Sequence, residues 1–148
     1  MLHFFQYNLY LLKINYMELI KNNATEILIL LFLVVTFLQS GIDKVTDWNG
    51  NLSFIKDHFK NSPLKNMVPL LLSVILVIEL IAGAFMFIGI FNIATTGSKE
   101  LALLGVQLSA LTLIFLLIGQ RLAKDYAGAM TLAVYFIITI FGMFLLNK

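Results

Sequence analysis

Residues 101–120 and 126–147 of this chain hold no charged side chain, and residues 67–91 hold one, Glu79. A bilayer core about 30 Å thick is crossed by roughly 20 helical residues, so each of these segments is long enough to span it. A fourth, over residues 24–45, is built on the apolar stretch 27–38. In hydrocarbon every backbone N–H and C=O must be paired within the segment, which leaves helices or a closed barrel. The two-residue alternation of barrel strands is absent, so the expected fold is all-α: a transmembrane four-helix bundle. Composition agrees. The chain is 60% hydrophobic and 12% charged, with mean hydropathy +0.94, too little polar surface to cover a water-soluble core.

The connections are read from turn and charge signals. Residues 92–100 carry Thr95-Thr96-Gly97-Ser98 and residues 121–125 form a tight charged turn. The long connection, 43–66, opens with a Trp48-Asn49-Gly50-Asn51 turn. It continues with Leu52, Ile55 and Phe59 at helical spacing while Lys56, Asp57 and Lys60 occupy other faces, which predicts a short amphipathic helix on the membrane surface or capping the bundle. Asn23 and Glu26 stand at capping-box spacing ahead of the first span. Ser62-Pro63 offers an earlier start to the second span, with Pro69 then bending its first turns.

Residues 1–23 read as an N-terminal arm, and 24–148 as the transmembrane domain. Residues 1–16 are aromatic and Asn-rich and lack the basic region, long apolar core and cleavage site of a signal peptide. They are expected to be either an arm or a mis-assigned start ahead of Met17. Four crossings put both ends of the chain on one side. The opposite side carries Lys44, Lys56, Lys60, Lys65, Arg121 and Lys124 against Lys13, Lys21, Lys99 and Lys148. That balance tilts toward cytoplasmic first and third connections but leaves orientation open.

The net charge of +2, with scattered Lys and Arg, argues against a nucleic-acid partner. There is no cysteine and the two histidines, His3 and His58, are far apart in sequence, so no thiolate chemistry and no histidine metal site is expected. No nucleophile–base pair, phosphate-binding loop or nucleotide fingerprint is present, and catalysis by this chain alone is not expected.

The candidate functional residues are the polar ones in or beside the spans. Glu79 lies near the middle of its segment, where a carboxylate costs several kcal/mol unless protonated, paired or hydrated, so it must face the bundle interior. It is either a proton relay or contact for a polar headgroup such as that of a quinone, or a packing element bonded to Gln107 or a backbone carbonyl. Gln107 reads as interhelical glue. Asp43, Lys44, Asp47 and Gln39 cluster at the end of the first span, and Lys44 is expected to fold back toward the bundle. The endings Gln39 to Lys44 and Gln120 to Asp125 each place two opposite charges four and five residues after a Gln, and are candidates to pair across the bundle mouth. Small residues at helical spacing (Gly83 after Glu79, Gly105 with Ser109, Ala129 with Ala133) predict close helix contacts.

Two motifs carry a family resemblance. Phe37-Leu-Gln-Ser-Gly41-Ile-Asp-Lys44-Val-Thr-Asp47 looks like the phenylalanine-rich first helix of the DoxX-like proteins, ending in Gly, Lys and a hydrophobic residue. Glu79-Leu-Ile-Ala-Gly83-Ala-Phe-Met-Phe-Ile-Gly89 is similar to their second-helix pattern of an acid with a glycine four residues on and another near the end. The 63–69 region also fits, and the likeness covers residues 25–119. It implies a four-helix bundle of the bacterial inner membrane. Relatives of this kind include the small part of a thiosulfate:quinone oxidoreductase and proteins proposed to support redox or stress-response complexes. Three roles follow as expectations: a non-enzymatic accessory or scaffold subunit, a quinone-interacting subunit with Glu79 near the headgroup and Lys44 near the mouth, and a small proton-linked carrier. Partners would be the lipid bilayer and a membrane or redox subunit, or further copies of the chain. No resident cofactor is expected beyond a quinone.

Overall fold

A computed structural model of the protein describes Gln6 and residues 15–148. Helix α1 spans Ala24–Thr46, α2 Trp48–His58, α3 Val68–Thr96, α4 Glu100–Leu122 and α5 Tyr126–Leu146, with no strand among the described residues. The four long helices have 23, 29, 23 and 21 residues, and at 1.5 Å per residue even the shortest is about 32 Å long. All four are long and apolar enough to cross a membrane and pack together as a bundle.

The bundle is a ring in which α1 packs on α3, α3 on α4, α4 on α5 and α5 back on α1; α1 barely touches α4 and α3 does not touch α5. Successive spans are antiparallel, since Gly41 of α1 meets Leu76 and Leu80 of α3 whereas Leu38 meets Gly83. Lipid is as apolar as leucine, so burying leucine drives little of this association. Inner faces are instead marked by small residues. A Cβ added to Gly89 would lie 2.6 Å from the Cα and N of Ala102, and one at Gly105 2.8 Å from Met86 N and 2.9 Å from Ala82 O. At the end of α3 and start of α4, then, backbone lies directly on backbone. Gly105 and Ser109 are buried as expected. Of the α5 pair Ala129 is buried and Ala133 is exposed. The inner hydroxyls of Ser109, Thr112 and Thr139 donate to their own helix carbonyls four residues back, at 2.9, 2.8 and 2.8 Å, which satisfies them locally; Ser109 Oγ also lies 3.6 Å from Met86 Sδ of α3.

Several local expectations need correction. Residues 15–22, assigned to the arm, are helical, and Leu19 lies 3.3 Å from a Cβ built on Gly97; residues 1–5 and 7–14 lie outside the described residues. The capping box does not form. Asn23 donates from Nδ2 to Leu19 O at 2.9 Å, because the preceding helix runs directly into α1, and Glu26 is left to accept from Lys99 Nζ at 2.9 Å. Residues 48–51 are the first turn of α2 rather than a free turn: Asp47 caps it by accepting from Gly50 N at 3.0 Å. Helix α3 begins at Val68, not at Ser62-Pro63, and Pro69 sits in its first turn, where the missing N–H has no partner to lose. No bend is needed. At its other end α3 continues to Thr96, since Thr95 and Thr96 return their hydroxyls to Phe91 O and Asn92 O at 2.7 and 2.8 Å. Gly97, at φ 76°, ends it.

Candidate functional site

Glu79 faces the bundle interior and is 2% exposed. Its partner is Lys44. The ammonium Nζ donates to Glu79 Oε2 at 2.9 Å, to Ser40 Oγ at 2.6 Å and to Ser40 O at 3.1 Å. The Ser40 hydroxyl in turn donates to Glu79 Oε1 at 3.2 Å. Ser40 and Lys44 are four residues apart on α1 and so share one face. That face meets α3 because Gly41 lets Leu80 approach, its Cδ2 lying 2.7 Å from where a Cβ would be. The result is a carboxylate and an ammonium paired between two spans and bridged by a hydroxyl.

The depth of this cluster differs from the sequence reading. Because α3 runs on to Thr96, Glu79 is not central; it lies about 16 Å of helix rise from Val68 and about 25 Å from Thr96. The site is thus in the half of the bundle nearer α2. Lys44, two residues from the end of α1, folds back to reach it, as expected. Its side chain is 14% exposed.

The bundle is hollow beside the cluster. A chamber of about 510 Å³ is lined by Ser40, Lys44 and Glu79, by Leu71, Leu72 and Ile75 of α3, by Phe115, Leu116 and Ile118 of α4 and by Leu132 of α5. At the end away from α2, α3 and α4 are in backbone contact at Gly89–Ala102 and Gly105; beside the chamber the α4 wall is Phe115, Leu116 and Ile118, with Gly119 facing the Phe59 ring. Val74, Phe115, Ile118 and Leu122 line the chamber and are also 46, 47, 50 and 40% exposed. The chamber therefore opens sideways between α3 and α4, onto the face turned to lipid.

Its aqueous end is covered. Ile55 of α2 and Phe59, the residue that caps it, both line the chamber. The amphipathic helix expected from Leu52, Ile55 and Phe59 is present and lies across the mouth. His58 holds it there: Nε2 is 2.9 Å from Gln120 Oε1 and 3.6 Å from Asp125 Oδ2. Asp125 also caps α5 by accepting from Gly128 N at 2.8 Å.

Of the six residues singled out from sequence, Glu79 and Lys44 meet. Asp43, Asp47, Gln39 and Gln107 are exposed and do not line the chamber. Gln107 cannot be the partner of Glu79, because it projects from the outer face of α4 while Ser109 and Val106 take the inner one. The two helix endings do not pair with each other. Lys44 is committed to Glu79 and Asp125 to His58 and Gly128. Ser40 and the His58–Gln120 contact were missed. Ser40 was legible, since its i, i+4 relation to Lys44 puts a hydroxyl under the ammonium. The His58 contact joins residues 62 apart in sequence and left no local signal.

No family model matches the chain, and no curated protein or solved structure does.

Proposed function

We propose that this is a DoxX-like, non-enzymatic subunit of a membrane complex, in the bacterial inner membrane, whose chamber holds a lipid-soluble ring compound of the quinone class. The observation that carries this reading is the apolar chamber of about 510 Å³, open toward lipid and ending on the Lys44–Glu79 ion pair that joins α1 to α3. Pockets of about 300–1,000 Å³ with apolar walls and a few convergent polar groups are the usual form of a small-molecule site. A buried ion pair contributes little to stability compared with apolar packing, so its presence beside a cavity favours a role in recognition. Any electron transfer would belong to the quinone and a partner subunit. The carrier reading has less support, because both Glu79 oxygens are already held by α1.

The test is gentle purification in a mild detergent, followed by organic extraction and mass spectrometry of what is retained. An isoprenoid quinone at near-stoichiometric amounts, reduced by Phe115→Ala or Glu79→Leu, supports the proposal. A preparation that carries only bulk phospholipid and takes up no added short-chain quinone refutes it.

A further inference from the structure

The hydrogen-bond inventory of the inner cluster constrains its ligand further, taking as given that the chamber is a ligand site. An ammonium has three N–H donors. Lys44 spends them on Glu79 Oε2, Ser40 Oγ and Ser40 O at 2.9, 2.6 and 3.1 Å. The single Ser40 O–H is spent on Glu79 Oε1 at 3.2 Å. Every donor at this end of the chamber is thus committed within the protein. Acceptors are not. A carboxylate has about four lone-pair sites, of which Lys44 and Ser40 fill two. The cluster can accept further hydrogen bonds and has none left to give.

From this we infer that the site selects a ligand that brings a hydrogen-bond donor to Glu79, an aromatic or ring hydroxyl, and disfavours one that brings only a carbonyl. Within the quinone class it binds the reduced, dihydroxy form in preference to the oxidised form. A carbonyl oxygen placed there would face carboxylate lone pairs and would have to take a donor from the Lys44–Ser40–Glu79 network. A hydroxyl adds one bond and breaks none. Sites built to pair a ligand hydroxyl discriminate strongly against analogues that lack it, because their own buried groups are then unpaired. The remaining polar lining side chain, Gln120, lies at the α2 end with its Oε1 on His58; its amide N–H donors belong to that end of the chamber and not to the Glu79 cluster.

The full chain in nanodiscs is titrated anaerobically with decylbenzoquinol and with decylbenzoquinone, using empty nanodiscs to subtract partitioning. A redox-inert pair, 4-octylphenol and its methyl ether, is run in parallel. The expected result is at least tenfold tighter saturable binding of the quinol and of the phenol than of their counterparts. Ser40→Ala frees one Lys44 N–H, and is expected to narrow the quinol-to-quinone ratio by strengthening the quinone. Equal affinity within both pairs, or tighter quinone, overturns this inference and leaves the chamber a ligand site. Saturable binding of none of the four probes overturns the proposed function itself.

Discussion

Removing the ammonium from the Glu79 pair should be far more damaging than removing the carboxylate. Lys44→Met leaves a carboxylate that is 2% exposed, with Ser40 its one remaining donor. Breaking a buried pair from one side costs about 3–5 kcal/mol. Lys44 is itself 14% exposed and so partly hydrated, which places the expected loss near the lower end, about 3 kcal/mol or roughly a hundredfold in the folded-to-unfolded ratio. Glu79→Leu strands the ammonium instead. Lys44 lies two residues from the end of α1, and a long side chain there can turn its head to the interface. The expected loss is about 1 kcal/mol. The double variant replaces both charges by apolar groups of similar size and should return to within about 1 kcal/mol of the natural protein. Equilibrium unfolding in mixed micelles, followed by helical circular dichroism, measures all four corners of this cycle. If Glu79→Leu costs as much as Lys44→Met, or if the double variant costs the sum of the two, the charges are not coupled across a dry interface and the reasoning fails.

Gly105→Ala should lower stability by about 2 kcal/mol or more, because its Cβ meets backbone atoms of Met86 and Ala82. Gly119→Ala meets only the ring tip of Phe59 at 3.3 Å and should cost under about 1 kcal/mol; thermal unfolding of the two variants compares them. His58→Ala should release α2, raising amide exchange over residues 48–67 while the exchange of α4 and α5 stays unchanged. Lys124 adopts φ 62° without being glycine, a conformation costing about 1–2 kcal/mol for a side-chain-bearing residue, so Lys124→Gly should raise the unfolding midpoint. Gln107→Leu removes an exposed amide from the outer face of α4 and should leave stability in detergent unchanged.

The architecture was written in the linear pattern. Four apolar segments of membrane-spanning length force helices, since hydrocarbon offers no other partner for the backbone, and Leu52, Ile55 and Phe59 announce the amphipathic helix by spacing alone. Their boundaries were less legible. Glu26 was assigned to a cap but pairs with Lys99, and the threonines before Gly97 looked like a turn because serine and threonine serve both turns and helix ends. Burial of Glu79 also followed from the sequence, because an exposed acid in lipid is too costly. Its partner did not. Gln107 or a backbone carbonyl was the expected partner, with Lys44 expected only to fold back toward the bundle, and only the rotation of α4 about its axis turned the glutamine outward. The chamber is likewise a tertiary property. Its walls come from α1, α3, α4 and α5 and its cover from α2, and which side chains of five separate helices face one space has no signature until those helices are placed.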